Sequence, residues 1–275
     1  MTKKSRNRFL LVVGAVVGLS LIGGNLGVKA LERLMIYYPL NDHDFATPEN
    51  PLKPMDIYWT SDDGVKTHGW FLENPQSSKV LVYFHGNAGS IAGRYPWALQ
   101  LMNAGVSVLM VEYRGYGRSE GEPSEDGIYR DAEAVWQWLV NTQKIAPENI
   151  VLYGKSLGGG PATELATRYP AGALVLQSTF TSIPDMAKRV LPWVPKFLVQ
   201  TQFDNEKKLK AVKSPTLLIH SRADDLIPFE HSVRNANAAN QLVAHLAFDG
   251  YGHNDLVAGE GAAIVEAISN LVGDN

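Results

Sequence analysis

Six short apolar runs, at residues 80–84, 106–111, 150–153, 173–176, 216–220 and 243–248, alternate with longer segments, several of helical period. Strands joined this way predict a mostly parallel sheet, because a parallel connection must cross back over the sheet and a helix is the usual way to do it. In 126–142 the residues Ile128, Ala132, Val135, Leu139 and Val140 repeat at helical spacing, with Trp136 and Trp138 adding core bulk. Further helices are expected over 159–169, ended by Pro170 and Gly172, and over 262–272. Ahead of the first run, 56–60 and 65–72 alternate around Ser61-Asp62-Asp63-Gly64, which reads as an antiparallel hairpin with an Asp-Gly turn. The expected fold class is therefore α/β: a twisted, mostly parallel sheet with an N-terminal antiparallel hairpin and helices on both faces, filling 56–275.

At 275 residues, 45% of them apolar, the chain can bury one large core, and disorder is not indicated. The net charge of -3 is unevenly spread. Residues 1–29 carry Lys3, Lys4, Arg6, Arg8 and Lys29 and no acidic side chain, so the rest of the chain is distinctly acidic. No basic stripe remains there to neutralise phosphates, which argues against a nucleic-acid partner. The sequence has no cysteine, which removes disulfides, thiolate nucleophiles, thiolate metal sites and S-acyl anchors together. After the basic cluster, 9–28 is apolar except for Ser20 and Asn25, and as a helix it would span roughly 30 Å, the thickness of a bilayer core. Residues 1–30 are thus expected to be an N-terminal transmembrane helix with a cytoplasmic N-terminus and an extracytoplasmic body, periplasmic in a bacterial cell. The alternative is a signal peptide processed near Val28-Lys29-Ala30. A connector containing Pro48, Pro51 and Pro54 fills 31–55.

In open α/β sheets ligands bind beyond the C-terminal ends of the strands. Four strand ends carry suggestive chemistry. Run 150–153 is followed by Gly154-Lys155-Ser156-Leu157-Gly158, a G-x-S-x-G pattern that holds a serine on a sharp strand-to-helix turn. By itself the pentapeptide also fits an ordinary Gly-rich turn. Run 80–84 leads into His85-Gly86-Asn87-Ala88-Gly89, small residues able to aim backbone N–H groups at a developing negative charge, with His85 shaping the loop. Asp224 and Asp225 follow 216–220, and His253, flanked by Gly252, follows 243–248. Singly, His253 would be a loop histidine and the aspartates would solvate a turn. Together, Ser156, then Asp224 or Asp225, then His253 reproduce the chain order of the α/β-hydrolase triad. His220 reads as structural at its strand end, and His43, His68, His231 and His245 sit in no pattern.

Five motifs carry a family resemblance over residue 55 to the C-terminus. They are Phe84-His85-Gly86-Asn87-Ala88-Gly89, Tyr113-Arg114-Gly115-Tyr116-Gly117-Arg118-Ser119, Gly154-Lys155-Ser156-Leu157-Gly158-Gly159, Asp224-Asp225-Leu226-Ile227-Pro228 and Gly252-His253-Asn254-Asp255. The set resembles the membrane-anchored α/β-hydrolases of the serine aminopeptidase and prolyl-oligopeptidase-like clan. The resemblance implies an α/β-hydrolase fold with Ser156 as nucleophile, His253 as base and Asp224 as acid, since the family's aspartate lies four residues before the proline that is Pro228 here. It also implies an oxyanion hole made by the backbone N–H groups of Asn87 and Leu157. Some eukaryotic relatives remove palmitate from proteins at the cytoplasmic membrane surface and attach through cysteine-rich N-termini; this chain has a spanning-type segment instead.

The expected activity is serine hydrolysis of carboxylic esters or thioesters through an acyl-enzyme, with a small-molecule or lipid-like acyl ester as partner. No metal or organic cofactor is called for, and no spacing such as H-E-x-x-H occurs. Residues 181–213 form a short cap whose Met186, Val190, Leu191, Trp193, Val194, Phe197 and Leu198 would either wall an acyl pocket or pack a helix on the sheet. Two other functions remain open: a peptidase using the same triad, and a binding protein on an inactive hydrolase fold. The oligomeric state is not legible.

Overall fold

The computed structural model describes residues 25–40 and 53–273. The basic cluster and nearly all of the expected membrane segment lie outside the described residues, as do Pro48 and Pro51 of the connector. Helix α1 (Asn25–Ile36) runs through the expected junction at residue 30 and leads into a short strand, β1 (Tyr38–Pro39).

The hairpin β2 (Met55–Thr60) and β3 (Lys66–Leu72) forms as expected, with Gly64 at φ 82° in a turn closed by Gly64 N–H donating to Ser61 O at 2.9 Å. Then follow β4 (Val80–Phe84), β5 (Ala88–Gly89), α2 (Tyr95–Leu101), β6 (Ser107–Val111), α3 (Glu125–Gln137), β7 (Ile150–Lys155) and α4 (Gly159–Arg168). The chain ends with β8 (Ala173–Gln177), α5 (Ile183–Val190), α6 (Asn205–Leu209), β9 (Thr216–Ser221), α7 (Phe229–Ala238), β10 (Leu242–Phe248) and α8 (Leu256–Gly273). Eight strands form one sheet in the order β10-β9-β8-β7-β4-β6-β3-β2, parallel from β10 to β6 and antiparallel across β6-β3-β2. β1 and β5 pair in parallel as a separate two-stranded ribbon.

The central strands are apolar throughout because both faces are covered. In β4 the residues Val80, Val82 and Phe84 join one core with Ile128 and Val135 of α3 and Leu165 of α4. Leu81 and Tyr83 point the other way, into a core with Trp97 and Leu101 of α2 and Ile264 and Ile268 of α8. Helices therefore cover both faces, as the alternation predicts. The helix expected over 126–142 forms as α3 plus a π-helical turn through Thr142. Ser124 caps α3 through Gly127 N–H, with Glu125 and Asp126 favourably placed in its first turn.

The last helix starts six residues earlier than expected. Gly259 and Gly261 weaken its helical signal, and the helix is kinked at Glu260 (φ −115°, ψ 15°). Among the described residues α8 is the one helix long and apolar enough to cross a membrane by length and composition. Its buried Leu256, Ile264, Ile268 and Val272 face the sheet, so its apolar character is that of a core helix.

Candidate active site

The sheet order reverses between β4 and β7: the chain leaves β4 for β6 on one side and returns to β7 on the other. Such a switch point opens a crevice at the strand ends, because consecutive connections diverge there. The loop after β4 and the turn after β7 carry the two glycine motifs, and they are neighbours because Phe84 pairs with Gly154.

Ser156 sits at φ 53°, in the left-handed region that costs an L-residue roughly 1–3 kcal/mol. The surrounding glycines make this turn possible. A Cβ at Gly154 would overlap the Gly158 carbonyl, and one at Gly158 would overlap the Phe84 carbonyl. Thr179, just after β8, fixes the turn by donating its hydroxyl to Ser156 O at 2.7 Å. The N-terminus of α4 follows directly, which favours negative charge at this corner.

The structure brings Ser156, His253 and Asp224 together. His253 Nε2 lies 3.2 Å from Ser156 Oγ, and His253 Nδ1 lies 2.8 Å from Asp224 Oδ2. Asp224 is turned inward by a tight loop in which its Oδ1 accepts from Leu226 N–H at 3.0 Å and Ile227 N–H at 2.7 Å. Burial opposes its ionisation, but hydrogen bonds from His220, His253 and the Ile227 amide outweigh that and hold the carboxyl well below the usual range. Asp225 faces the same loop differently, with its Oδ1 accepting His253 N–H at 3.0 Å.

Sequence reading assigned His220 a structural place. It has one, 2.9 Å from Ile227 O, but its Nε2 also lies 3.3 Å from Asp224 Oδ2. Lys155, beside the serine, is largely buried, and desolvation together with the Arg94 charge pushes it down to about 8 against the pull of Asp224 and Asp255.

His85 shapes its loop as expected. It is fully buried against Tyr113 and Tyr116, its Nδ1 donates to Gly86 O at 2.7 Å, and burial lowers it to about 3, so it is neutral. The buried Glu112 accepts from Ile91 N–H at 2.6 Å and so braces the far end of the same loop. Asn87 and Leu157 border the same cavity as Ser156.

That cavity measures about 590 Å³, a size typical of small-molecule sites. Cap residues such as Met186, Leu191, Trp193 and Leu198 form one side, and Val28, Leu31, Met35 and Ile36 of α1 form another. The cap segment thus does wall a pocket, while its α5 also packs on the body. A second cavity of about 560 Å³, lined by charged groups including Asp62, Arg130, Glu133 and Arg168, contains none of these residues.

The family profile described as serine aminopeptidase, S33, matches residues 75–212, which hold the loop after β4, the serine turn and the cap. An uncharacterized protein of Mycobacterium tuberculosis is 32% identical over 265 residues, spanning 95% of this chain and 94% of that one. This chain belongs to the serine aminopeptidase S33 family of hydrolases. Within this α/β-hydrolase group, the human alpha/beta hydrolase domain-containing protein 17B is 33% identical over 184 residues, covering 66% of this chain and 63% of the human protein. Among solved structures, an esterase of Pyrococcus furiosus superposes with a TM-score of 0.71 at 19% identity, over 87% of this chain and 97% of that one. An α/β-hydrolase of Vibrio vulnificus gives 0.64 at 25% identity, over 78% and 80% of the two chains.

Proposed function

We propose that this S33-family hydrolase cleaves carboxylic esters or thioesters of apolar acyl groups through a Ser156-His253-Asp224 triad. The observation that carries the reading is the hydrogen-bonded line from Asp224 through His253 to Ser156, ending at an apolar cavity. Serine is a weak nucleophile, so its attack on the acyl carbonyl requires His253 Nε2 to take the Oγ proton as the bond forms. Asp224 keeps the Nδ1 proton in place and stabilises the imidazolium. The N–H groups of Asn87 and Leu157 stabilise the tetrahedral oxyanion, at about 3 kcal/mol per donor. His253 then protonates the leaving alcohol or thiol, and the acyl-enzyme is released by water that His253 activates.

A peptidase reading has support in the family description, but an aminopeptidase needs an acidic group for the terminal ammonium. Among the described residues lining the cavity, Glu32 is the one that carries a charge, and its carboxylate is taken up by Gln200 N–H, Thr201 N–H and the Thr201 hydroxyl. The ester reading is further supported by the fold likeness to the Pyrococcus furiosus esterase.

The test is fluorophosphonate labelling of the detergent-solubilised full chain beside Ser156→Ala, followed by turnover of p-nitrophenyl esters and aminoacyl anilides. Labelling lost in the variant, with ester turnover, supports the proposal; a folded chain that never labels refutes it in favour of the binding-protein alternative. We also propose that 9–28 anchors the protein with the body outside the cytoplasm, a reading supported by the basic cluster that precedes the apolar run. A reporter fused after Asn275 should then be active outside, and cytoplasmic-only activity would overturn it.

A further inference from the structure

Helix α1 is not a passive lead-in to the hydrolase body. Val28, Leu31 and Met35 recur at helical spacing and face the cavity, while Leu34 between them is 71% exposed. The helix is tied at both ends of the site. Toward the cap, the Glu32 carboxylate accepts from Gln200 N–H at 2.7 Å, Thr201 N–H at 2.8 Å and Thr201 Oγ at 2.7 Å, three charge-assisted bonds across more than 160 residues of chain. Toward the loop after β4, the Asn87 side-chain amide donates to Ile36 O at 3.0 Å, and Tyr38 N–H returns a bond to Asn87 O at 2.9 Å. The pairing of β1 with β5 extends that junction through Pro39 and Gly89.

We propose that α1 and the strap through Leu40 form the chain-length selector of the acyl site and hold Asn87 in register with the cap. This rests on the ester-hydrolase reading and names the substrate class more narrowly: esters of long unbranched acyl chains, lying between α1 and the cap with the carbonyl at Ser156. Apart from Glu32, whose carboxylate is engaged, the cavity offers a chain mostly methyl and methylene contacts, so binding grows with each methylene it covers. The same helix that contacts the chain also holds the Asn87 loop, through the Asn87 side-chain amide on Ile36 O and through the backbone bond from Tyr38 just beyond its end. Chain recognition and oxyanion geometry are therefore coupled through one element.

The experiment is a p-nitrophenyl ester series from acetate to decanoate, read as kcat and KM, on the full-length protein in detergent. Wild type should gain up to about fourfold in kcat/KM per added methylene until the cavity is filled. Leu31→Trp or Met35→Trp, each filling the cavity from the α1 side, should lower the decanoate-to-acetate ratio at least tenfold, whereas Leu34→Trp on the exposed side should leave it unchanged. Glu32→Ala should lower kcat on acetate about tenfold, with partial rescue in Glu32→Gln, which can still accept hydrogen bonds from the 200–201 segment. A wild-type ratio in both tryptophan variants, with Ser156 still labelled by fluorophosphonate, would overturn the selector. Wild-type kcat in Glu32→Ala would overturn the coupling. Wild-type protein that is folded but hydrolyses no ester would instead mark failure of the ester reading itself.

Discussion

Replacing Asp224 by Asn tests the proposed triad most sharply, because the change is nearly isosteric and its consequence can be worked out atom by atom. Asp224 Oδ1 accepts two backbone N–H groups, from Leu226 and Ile227, and this fixes which side-chain atom of an asparagine must be oxygen. The amide NH2 then occupies the place of Oδ2, 2.8 Å from His253 Nδ1. Two donors cannot face each other there, so the imidazole must move its proton from Nδ1 to Nε2. Nε2 lies 3.2 Å from Ser156 Oγ, and once protonated it can only donate to that oxygen. The base is lost while the shape of the site remains, for which a fall in kcat of about 10⁴ is expected, or about 5 kcal/mol of barrier. Asp225→Asn keeps an oxygen for His253 N–H and should cost less than about tenfold. The assay is kcat on a p-nitrophenyl ester, normalised by active-site titration, with thermal melts to confirm folding. Asp224→Asn within tenfold of wild type, or a larger loss in Asp225→Asn, would refute the assignment.

Ser156→Ala and His253→Ala should each lower kcat by about 10⁴ or more at unchanged melting temperature, and near-normal turnover by either purified variant would contradict the mechanism. Asp131→Ala should destabilise the fold by about 1–3 kcal/mol in urea unfolding, because it removes the buried acceptor of the Arg114 main-chain N–H and Nε and of the Ser61 hydroxyl, while Asp63 still pairs with the guanidinium. A loss under 1 kcal/mol would show that Arg114 finds water instead. Lys155 binds its proton less tightly in the folded chain (about 8) than in the unfolded one (10.5), so stability should rise with pH between those values. Lys155→Met should accordingly stabilise the protein by up to about 3 kcal/mol at pH 7, and the gain should shrink through pH 8–10.5; a pH-independent gain would show that charge burial is not its source.

Much of the fold was legible because strands β4, β6, β7, β8 and β9 are buried on both faces and so read as unbroken apolar runs, with bounds off by one or two residues at most. Ser156 and His253 were legible for a related reason: a parallel sheet gathers the residues following its strands at one end, whatever their distance in sequence. Helix α1 was not. Its apolar face continues the run 9–28, and one apolar stretch serves equally as a membrane segment or as a pocket wall until a partner surface is known. Glu32 has no local signal, since its acceptor role depends on backbone N–H groups at 200 and 201.

The choice between the two adjacent aspartates, which the resemblance makes by spacing to Pro228, has its physical basis in the backbone geometry of the turn. Both carboxylates bond the same histidine, one at the ring and one at the main-chain N–H, so neither of the two consecutive acids is redundant here. The inward turn at 224 is set by amides two and three residues onward, and Pro228 stands just beyond them, where its lack of an N–H does no harm. His220 adds a third fixed point by spanning Ile227 O and the Asp224 carboxylate, which makes the acid loop a small rigid frame around the imidazole. A substitution at His220 should therefore act through the orientation of Asp224: His220→Asn should reduce kcat and leave KM for a p-nitrophenyl ester near its wild-type value, whereas a rise in KM alone would mean the frame positions substrate rather than the base.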